Sequence, residues 1–115
     1  MIVYGIKNCN TVKAALAWLR EHEVAFDFHD YKAQGLSEAK LNNWIDQVGW
    51  EPLVNKRGTT WRQLDAGVQA KVTNRAAAVA LMLSKTSVIK RPLLEQDGKV
   101  LTLGFDEATF ARVLK

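Results

Sequence analysis

Ile2-Val3-Tyr4-Gly5-Ile6-Lys7-Asn8-Cys9-Asn10-Thr11-Val12-Lys13-Ala14-Ala15-Leu16 runs from a strand through a polar turn into a helix, and the rest of the chain is read outward from it. Ile2-Val3-Tyr4 is a short β-prone run ended by Gly5. Val12, Ala15, Leu16 and Leu19 then fall at i, i+3, i+4 and i+7, which is one face of a helix. Ala25-Phe26-Asp27-Phe28-His29-Asp30-Tyr31 alternates as a second strand does. Strand, helix and strand within about 30 residues make a βαβ unit, whose strands are expected to be parallel.

Beyond this unit the pattern turns helical. Ser37 is placed to cap a helix whose apolar face is Leu41, Trp44, Ile45 and Val48, with Leu36 stapled to Leu41 and Gly49 closing it. Residues 50–69 are irregular, with Gly58-Thr59-Thr60 marking a turn before a short helix. Thr73 is expected to cap a further helix carrying Ala78, Val79, Met82 and Leu83. The end returns to β structure: Leu93-Leu94-Glu95-Gln96, the turn Asp97-Gly98, and Lys99-Val100-Leu101-Thr102-Leu103 form a two-residue hairpin pattern. Asp106 caps a last helix, and Phe105 can pack on Phe110. The order is β-α-β, a helical block, then β-β-α. It predicts an α/β chain forming one domain over residues 1–115, with a helical insertion at approximately 33–87.

Composition narrows the function classes. The chain has 115 residues, 48% apolar and 24% charged, with seven glycines and two prolines, so it is built for a single ordinary core. The net charge of +4 comes from scattered side chains, densest at Lys56, Arg57 and Arg62, with no basic stripe or interleaved aromatics. No nucleic-acid partner is therefore expected. No apolar run reaches the roughly 18 residues of a membrane span, and no signal peptide is recognised. A single cysteine fits a reducing compartment, so the expected location is cytoplasmic and membrane-free. No metal-ligand spacing is present in the sequence, and no bound cofactor is expected.

Cys9 stands between the first strand and the first helix. A helix N-terminus offers unpaired N–H groups and about half a positive charge, which favours thiolate over thiol. Lys7 can add charge, and the polar turn keeps the sulfur accessible. The alternative is an inert buried thiol, the commoner condition of a lone cysteine. Arg91-Pro92 precedes the hairpin. Pro92 is either a plain strand-start proline or a cis-proline presenting backbone to a ligand. His29 is read as a thiol base or as a strand residue without a role, and Thr11 as a thiolate donor or a helix cap. Asn8 and Asn10 shape the turn, and the four tryptophans are assigned to packing.

Four stretches together resemble the glutaredoxin-like arsenate reductase (ArsC/Spx-type) family, in its YffB-like branch. They are Tyr4-Gly5-Ile6-Lys7-Asn8-Cys9-Asn10-Thr11-Val12-Lys13, Phe28-His29-Asp30-Tyr31-Lys32, Leu53-Val54-Asn55-Lys56-Arg57-Gly58-Thr59-Thr60-Trp61, and Ile89-Lys90-Arg91-Pro92-Leu93-Leu94-Glu95. The resemblance implies a thioredoxin/glutaredoxin-like fold with a four-stranded mixed sheet and a helical insertion. It also implies cis-Pro92, Cys9 as redox nucleophile and Arg91 beside the thiolate. The departures matter as much. Arsenate reductases of this type surround the oxyanion with three arginines. Here Asn55 stands at the first position, with Arg57 two residues on, and the third falls near Leu103-Gly104, where no arginine is found. Val12 occupies the position of a second, resolving cysteine.

The resulting expectation is a glutathione-dependent thiol reductase with Cys9 as its only redox group. Arg91, Lys7 and Thr11 would stabilise the thiolate or an anion, and Asn8, Arg57, Arg91 and Pro92 would bind glutathione. Its partners would be glutathione, as co-substrate, and a disulfide or glutathionylated substrate, and the chain would act as a monomer. Two alternatives stay open: an arsenate reductase using glutathione or glutaredoxin, and a non-catalytic Spx-like adaptor that touches RNA polymerase.

Overall fold

Ile2–Gly5 (β1) is the strand around which the sheet is organised. In the computed structural model, which describes residues 1–114, β1 pairs in parallel with Asp27–Asp30 (β2) and antiparallel with Leu93–Gln96 (β3). Lys99–Leu103 (β4) pairs antiparallel with β3, giving the order β2-β1-β3-β4. The helices are α1 (Asn10–Glu21), α2 (Tyr31–Gln34), α3 (Glu38–Val48), α4 (Thr59–Arg62), α5 (Ala66–Lys71), α6 (Arg75–Ser84) and α7 (Glu107–Leu114), with 3-10 turns at Glu51–Leu53 and Thr86–Val88. The expected mixed four-stranded sheet is present. The chain divides into two units, Met1–Gly35 with the segment from Arg91 onward, and Leu36–Lys90; the sequence pattern places the insertion at approximately 33–87.

In the first unit, period-two alternation sends the register partners Val3, Phe28 and Leu94 to one face of the sheet. Ala15, Trp18 and Leu19 of α1 and Phe110 of α7 cover that face. Trp18 meets Phe110 edge-on at 5.4 Å between ring centroids, a favoured aromatic geometry. Trp18 is buried and Leu16 only half-buried, so the apolar stripe of α1 lies slightly rotated from the one read from periodicity. The neighbouring residues Tyr4, His29 and Leu93, also in register, share the opposite face. Two turns end as their chemistry requires. Asp97 and Gly98 take φ of 53° and 81° in the hairpin, and Asp106 accepts from the Thr109 N–H at 2.9 Å to start α7. Phe105 packs on Phe110 with ring centroids 4.9 Å apart.

Several boundaries differ from the sequence reading, and β2 begins at Asp27 instead of Ala25. β2 ends at Asp30 instead of reaching Tyr31, because the Asp30 carboxylate accepts from the Lys32 N–H at 2.8 Å and starts α2 with Tyr31. The cap of α6 is Asn74, whose side chain accepts from the Ala77 N–H at 2.9 Å, so Thr73 lies one residue outside. The cap of α3 is Ser37 as expected, and Gly49 at φ 84° ends that helix.

The second unit buries Leu41, Trp44 and Ile45 of α3 and Ala78, Val79 and Met82 of α6. A short antiparallel bridge, Val54 to Ile89, closes it, with the Asn55 N–H on the Val88 carbonyl and the Lys90 N–H on the Leu53 carbonyl, each at 2.8 Å.

Gly5 sets how closely α1 approaches the end of β1. A Cβ there would lie 2.9 Å from Val12 Cγ2, and Val12 is fully buried and cannot swing away. Gly5→Ala is expected to destabilise the protein by about 1–3 kcal/mol, the usual cost of overpacking, measured by urea unfolding.

Candidate functional site

The sheet register brings the two ends of the candidate site together. β1 and β3 run antiparallel with Tyr4 opposite Leu93, so the loop leaving β1 and the segment entering β3 emerge at the same edge. The first carries Cys9 and the second Arg91 and Pro92, and the Arg91–Pro92 peptide is cis. Cys9 is the N-cap residue of α1, with extended backbone at φ −127° and ψ 122°, and its carbonyl accepts the first helical bond from Lys13 N–H at 2.9 Å. The thiol is part-exposed.

Opposed effects act on that thiol. Partial burial raises its pKa; the Val12 backbone N–H, the hydrogen-bonding guanidinium and charge of Arg91, and the Thr11 backbone N–H lower it. The lowering effects prevail, and the thiol ionises below its ordinary value of 9.0. The Val12 and Thr11 N–H groups belong to the first turn of α1, where unpaired donors favour an anion.

The sheet face that carries Tyr4 holds a buried polar group that sequence reasoning missed. Tyr4, Tyr31 and Glu95 are 4%, 3% and 3% exposed, and Tyr4 Oη donates to Glu95 Oε1 at 3.4 Å. The Tyr4 and Tyr31 rings stack with centroids 6.2 Å apart. Burial pushes the Tyr31 phenol well up, Tyr4 and Glu95 push the same way, and Arg91 opposes them. The one sequence signal was a glutamate inside an otherwise apolar strand, Leu93-Leu94-Glu95, where a buried carboxylate needs a partner.

The remaining sequence candidates fall at several places. Thr11 contributes its backbone N–H to the sulfur, and its side chain is exposed; the capping position belongs to Cys9. Lys7 and Asn8 are exposed in the turn, and Lys7 is not among the groups that shift the thiol. Lys7 instead lines an open groove of about 510 Å³ with Lys13, Leu16, Arg20 and Phe28. His29 Nε2 sits 2.7 Å from the Gly35 carbonyl, which fixes that nitrogen as the donor, and its ring lies 4.8 Å from that of Tyr4. Arg57 belongs to the second unit, exposed on a loop where its N–H donates to Asn55 Oδ1 at 3.3 Å. Among the described residues, no three His, Cys, Asp or Glu side chains cluster as metal ligands would, and no helix is long and apolar enough to cross a membrane.

A β-α-β and β-β-α sheet with a cysteine at the first helix start and a cis-proline ahead of the hairpin defines a thioredoxin-like fold. Within that class the chain belongs to the ArsC family, which its residues 4–113 match. The solved structure of the YffB protein is 45% identical, with a TM-score of 0.90 over 99% of this chain and 98% of that one. An arsenate reductase (ArsC) related protein from Brucella melitensis is 44% identical, with a TM-score of 0.80 over 99% of this chain and 93% of that one. The global transcriptional regulator Spx of Lactiplantibacillus plantarum is 25% identical over 99% of this chain and 86% of its own.

Removing the guanidinium should return the thiol toward ordinary behaviour. In Arg91→Met the pH midpoint of Cys9 alkylation is expected to move up, whereas Lys7→Ala leaves it in place. Stability follows the same linkage: the folded thiol ionises below the unfolded one, so the thiolate adds stability above about pH 9 that is lost as pH falls through the folded midpoint. Denaturant midpoints measured across this window should show a shallower pH dependence in Arg91→Met.

Proposed function

We propose that this protein is a glutathione-dependent thiol reductase in which Cys9 is the only redox group. The observation that carries the reading is a part-exposed thiol held toward the thiolate by a helix start and Arg91, in a chain whose sole cysteine it is. Val12 stands where a resolving cysteine would be needed, and its buried isopropyl group cannot take that part.

The cycle then requires an outside thiol. The Cys9 thiolate attacks the glutathione sulfur of a glutathionylated substrate, forming a Cys9–glutathione disulfide as the substrate leaves as thiolate. A second glutathione thiolate attacks that disulfide at the glutathione sulfur. Oxidised glutathione departs, and the Cys9 thiolate is restored. Each turn consumes one free glutathione, whose sulfur is oxidised as it joins the glutathione taken from the substrate, while the substrate sulfur is reduced to the thiolate. Lys7 and Arg91 are cations suited to glutathione carboxylates, Asn8 offers polar contacts, and the backbone beside Pro92 suits its peptide portion.

Arsenate is a less suitable substrate on charge grounds. An oxyanion is best met by several guanidinium groups. Here Asn55 shapes its own loop: it accepts from the Arg57 N–H, and its amide would lie 2.8 Å from a Cβ at Gly58. The segment at Leu103-Gly104 brings no cation.

Incubation with oxidised glutathione followed by intact-mass analysis should add one glutathione to the wild type and none to Cys9→Ser. Reduction of a glutathionylated peptide should fall by at least about 100-fold in the variant, as expected on loss of a nucleophile. Turnover surviving in Cys9→Ser would overturn the reading. So would a wild-type Cys9 that stays unmodified, and RNA polymerase binding would then be examined for an Spx-like role.

A further inference from the structure

The open groove that begins at Lys7 takes no part in the chemistry of the sulfur itself. It lies wholly within the first unit, holds about 510 Å³, and is lined by α1 together with β2 and α2. Lys13, Leu16 and Arg20 fall at i, i+3 and i+7, so they meet it from one face of α1. Leu16 and Phe28 are half-buried against the core and give the groove apolar surface. Lys7, Lys13 and Arg20 are exposed cations, and the Arg20 guanidinium lies over the Phe26 ring, 5.7 Å from its centroid. The one carboxylate lining the groove, Asp30, already accepts from the Lys32 N–H at 2.8 Å. Three cations therefore flank an apolar strip beside the loop that carries Cys9.

We propose that this groove docks an extended acidic segment of the protein whose glutathionylated cysteine Cys9 attacks. The inference rests on the reductase reading and adds a class of substrate to it. Lys7 stands two residues before Cys9, so the groove opens within about 7 Å of chain from that residue. At a rise of about 1.5 Å per residue, Lys13, Leu16 and Arg20 lie about 6, 10 and 16 Å along α1 from Cys9. An extended chain covers those distances in roughly two, three and five residues. The segment that fits carries carboxylates at about the second and fifth positions from its cysteine, with an apolar side chain between them. Lys13 and Arg20 are about 10 Å apart along the helix, too far for one compact anion such as phosphate to meet both. An extended segment meets them in series and covers Leu16 on the way. β2 is the outer strand of the sheet, so a chain lying along it displaces no other strand.

The test compares two glutathionylated peptides, each with Leu three residues from the cysteine on both sides. One carries Glu two and five residues from the cysteine on both sides, and the other carries Gln there. Wild-type kcat/KM is expected to be about 3- to 10-fold higher for the Glu peptide, the size of two exposed charge pairs, and the advantage shrinks in high salt. The double variant Lys13→Glu, Arg20→Glu loses that advantage and reduces the Gln peptide at the wild-type rate. Equal wild-type kcat/KM for the two peptides overturns the docking role and leaves the reductase reading standing. A raised KM for glutathione in the double variant also overturns it, by assigning the groove to the co-substrate. Should that variant not fold by circular dichroism, the wild-type comparison alone decides. If neither peptide turns over, the reductase reading fails, and fluorescence anisotropy with Ser in place of the peptide cysteine decides on docking. Tighter binding of the Glu peptide than of the Gln peptide then sustains the groove as a site for acidic segments. Equal binding of the two, or displacement by a single-stranded DNA oligonucleotide of the same charge as effective as by the Glu peptide, overturns it.

Discussion

The contact between the Arg91 guanidinium and the Cys9 sulfur is the point on which the chemistry of this molecule depends, and almost every local feature of the first unit serves it. The antiparallel pairing of Tyr4 with Leu93 fixes which loop meets which. Gly5 lets Val12 close against the end of β1, which seats the start of α1 beside the sheet. The Val12 and Thr11 N–H groups then face the sulfur because they belong to the first helical turn. Backbone donors and a sheet-anchored arginine lose little entropy on meeting a thiolate, since folding has already fixed them. Burial pulls the other way, and the direction of the shift reports which side prevails.

Two paired strands, β1 and β3, separate stability from chemistry by alternation. Val3 and Leu94 face α1 and α7 and form the apolar core, while their neighbours Tyr4 and Glu95 face the opposite side and form a buried polar pair. A one-residue slip of β3 against β1 would exchange these sets, exposing the core and burying polar groups. The register is thus constrained twice, once by each face. The buried Tyr4–Glu95 bond also gives the second face a specificity that hydrophobic contact alone lacks, since a carboxylate left without partners costs more than a misplaced leucine.

Much of this was legible in the sequence. The helix face containing Val12, Ala15 and Leu19, the Asp97-Gly98 turn, the Ser37 and Asp106 caps and the position of Cys9 at a helix start all follow from local chemistry. Where local signals compete, the reading slipped. Asp30 ends a strand by capping its own turn, and Asn74 outcompetes Thr73 for the start of α6, since an extended Asn reaches the N3 N–H as well as Thr does. The cluster of Tyr4, Tyr31 and Glu95 was illegible for a different reason. Its members come from three segments, and only the register of β1 with β3 sets Tyr4 against Glu95. The sign of the Cys9 shift could be argued from the helix start alone, and its second source, Arg91, from the family resemblance. Base rates favour trans for Arg91-Pro92, and only the family resemblance pointed to the cis bond that the structure contains.

A lowered thiol pKa has two consequences for a site with a single cysteine, and they pull apart. It increases the thiolate fraction at neutral pH, yet it weakens the intrinsic nucleophilicity of that thiolate and makes it a better leaving group. A dithiol enzyme gains from the last property inside its own chain, where a second cysteine expels the first. In the proposed cycle the second glutathione does the expelling, so leaving-group quality governs the release step directly. Arg91 serves both half-reactions: it favours the thiolate before attack and stabilises the same thiolate as it is expelled. An arginine that wandered after the first step would serve only one of them.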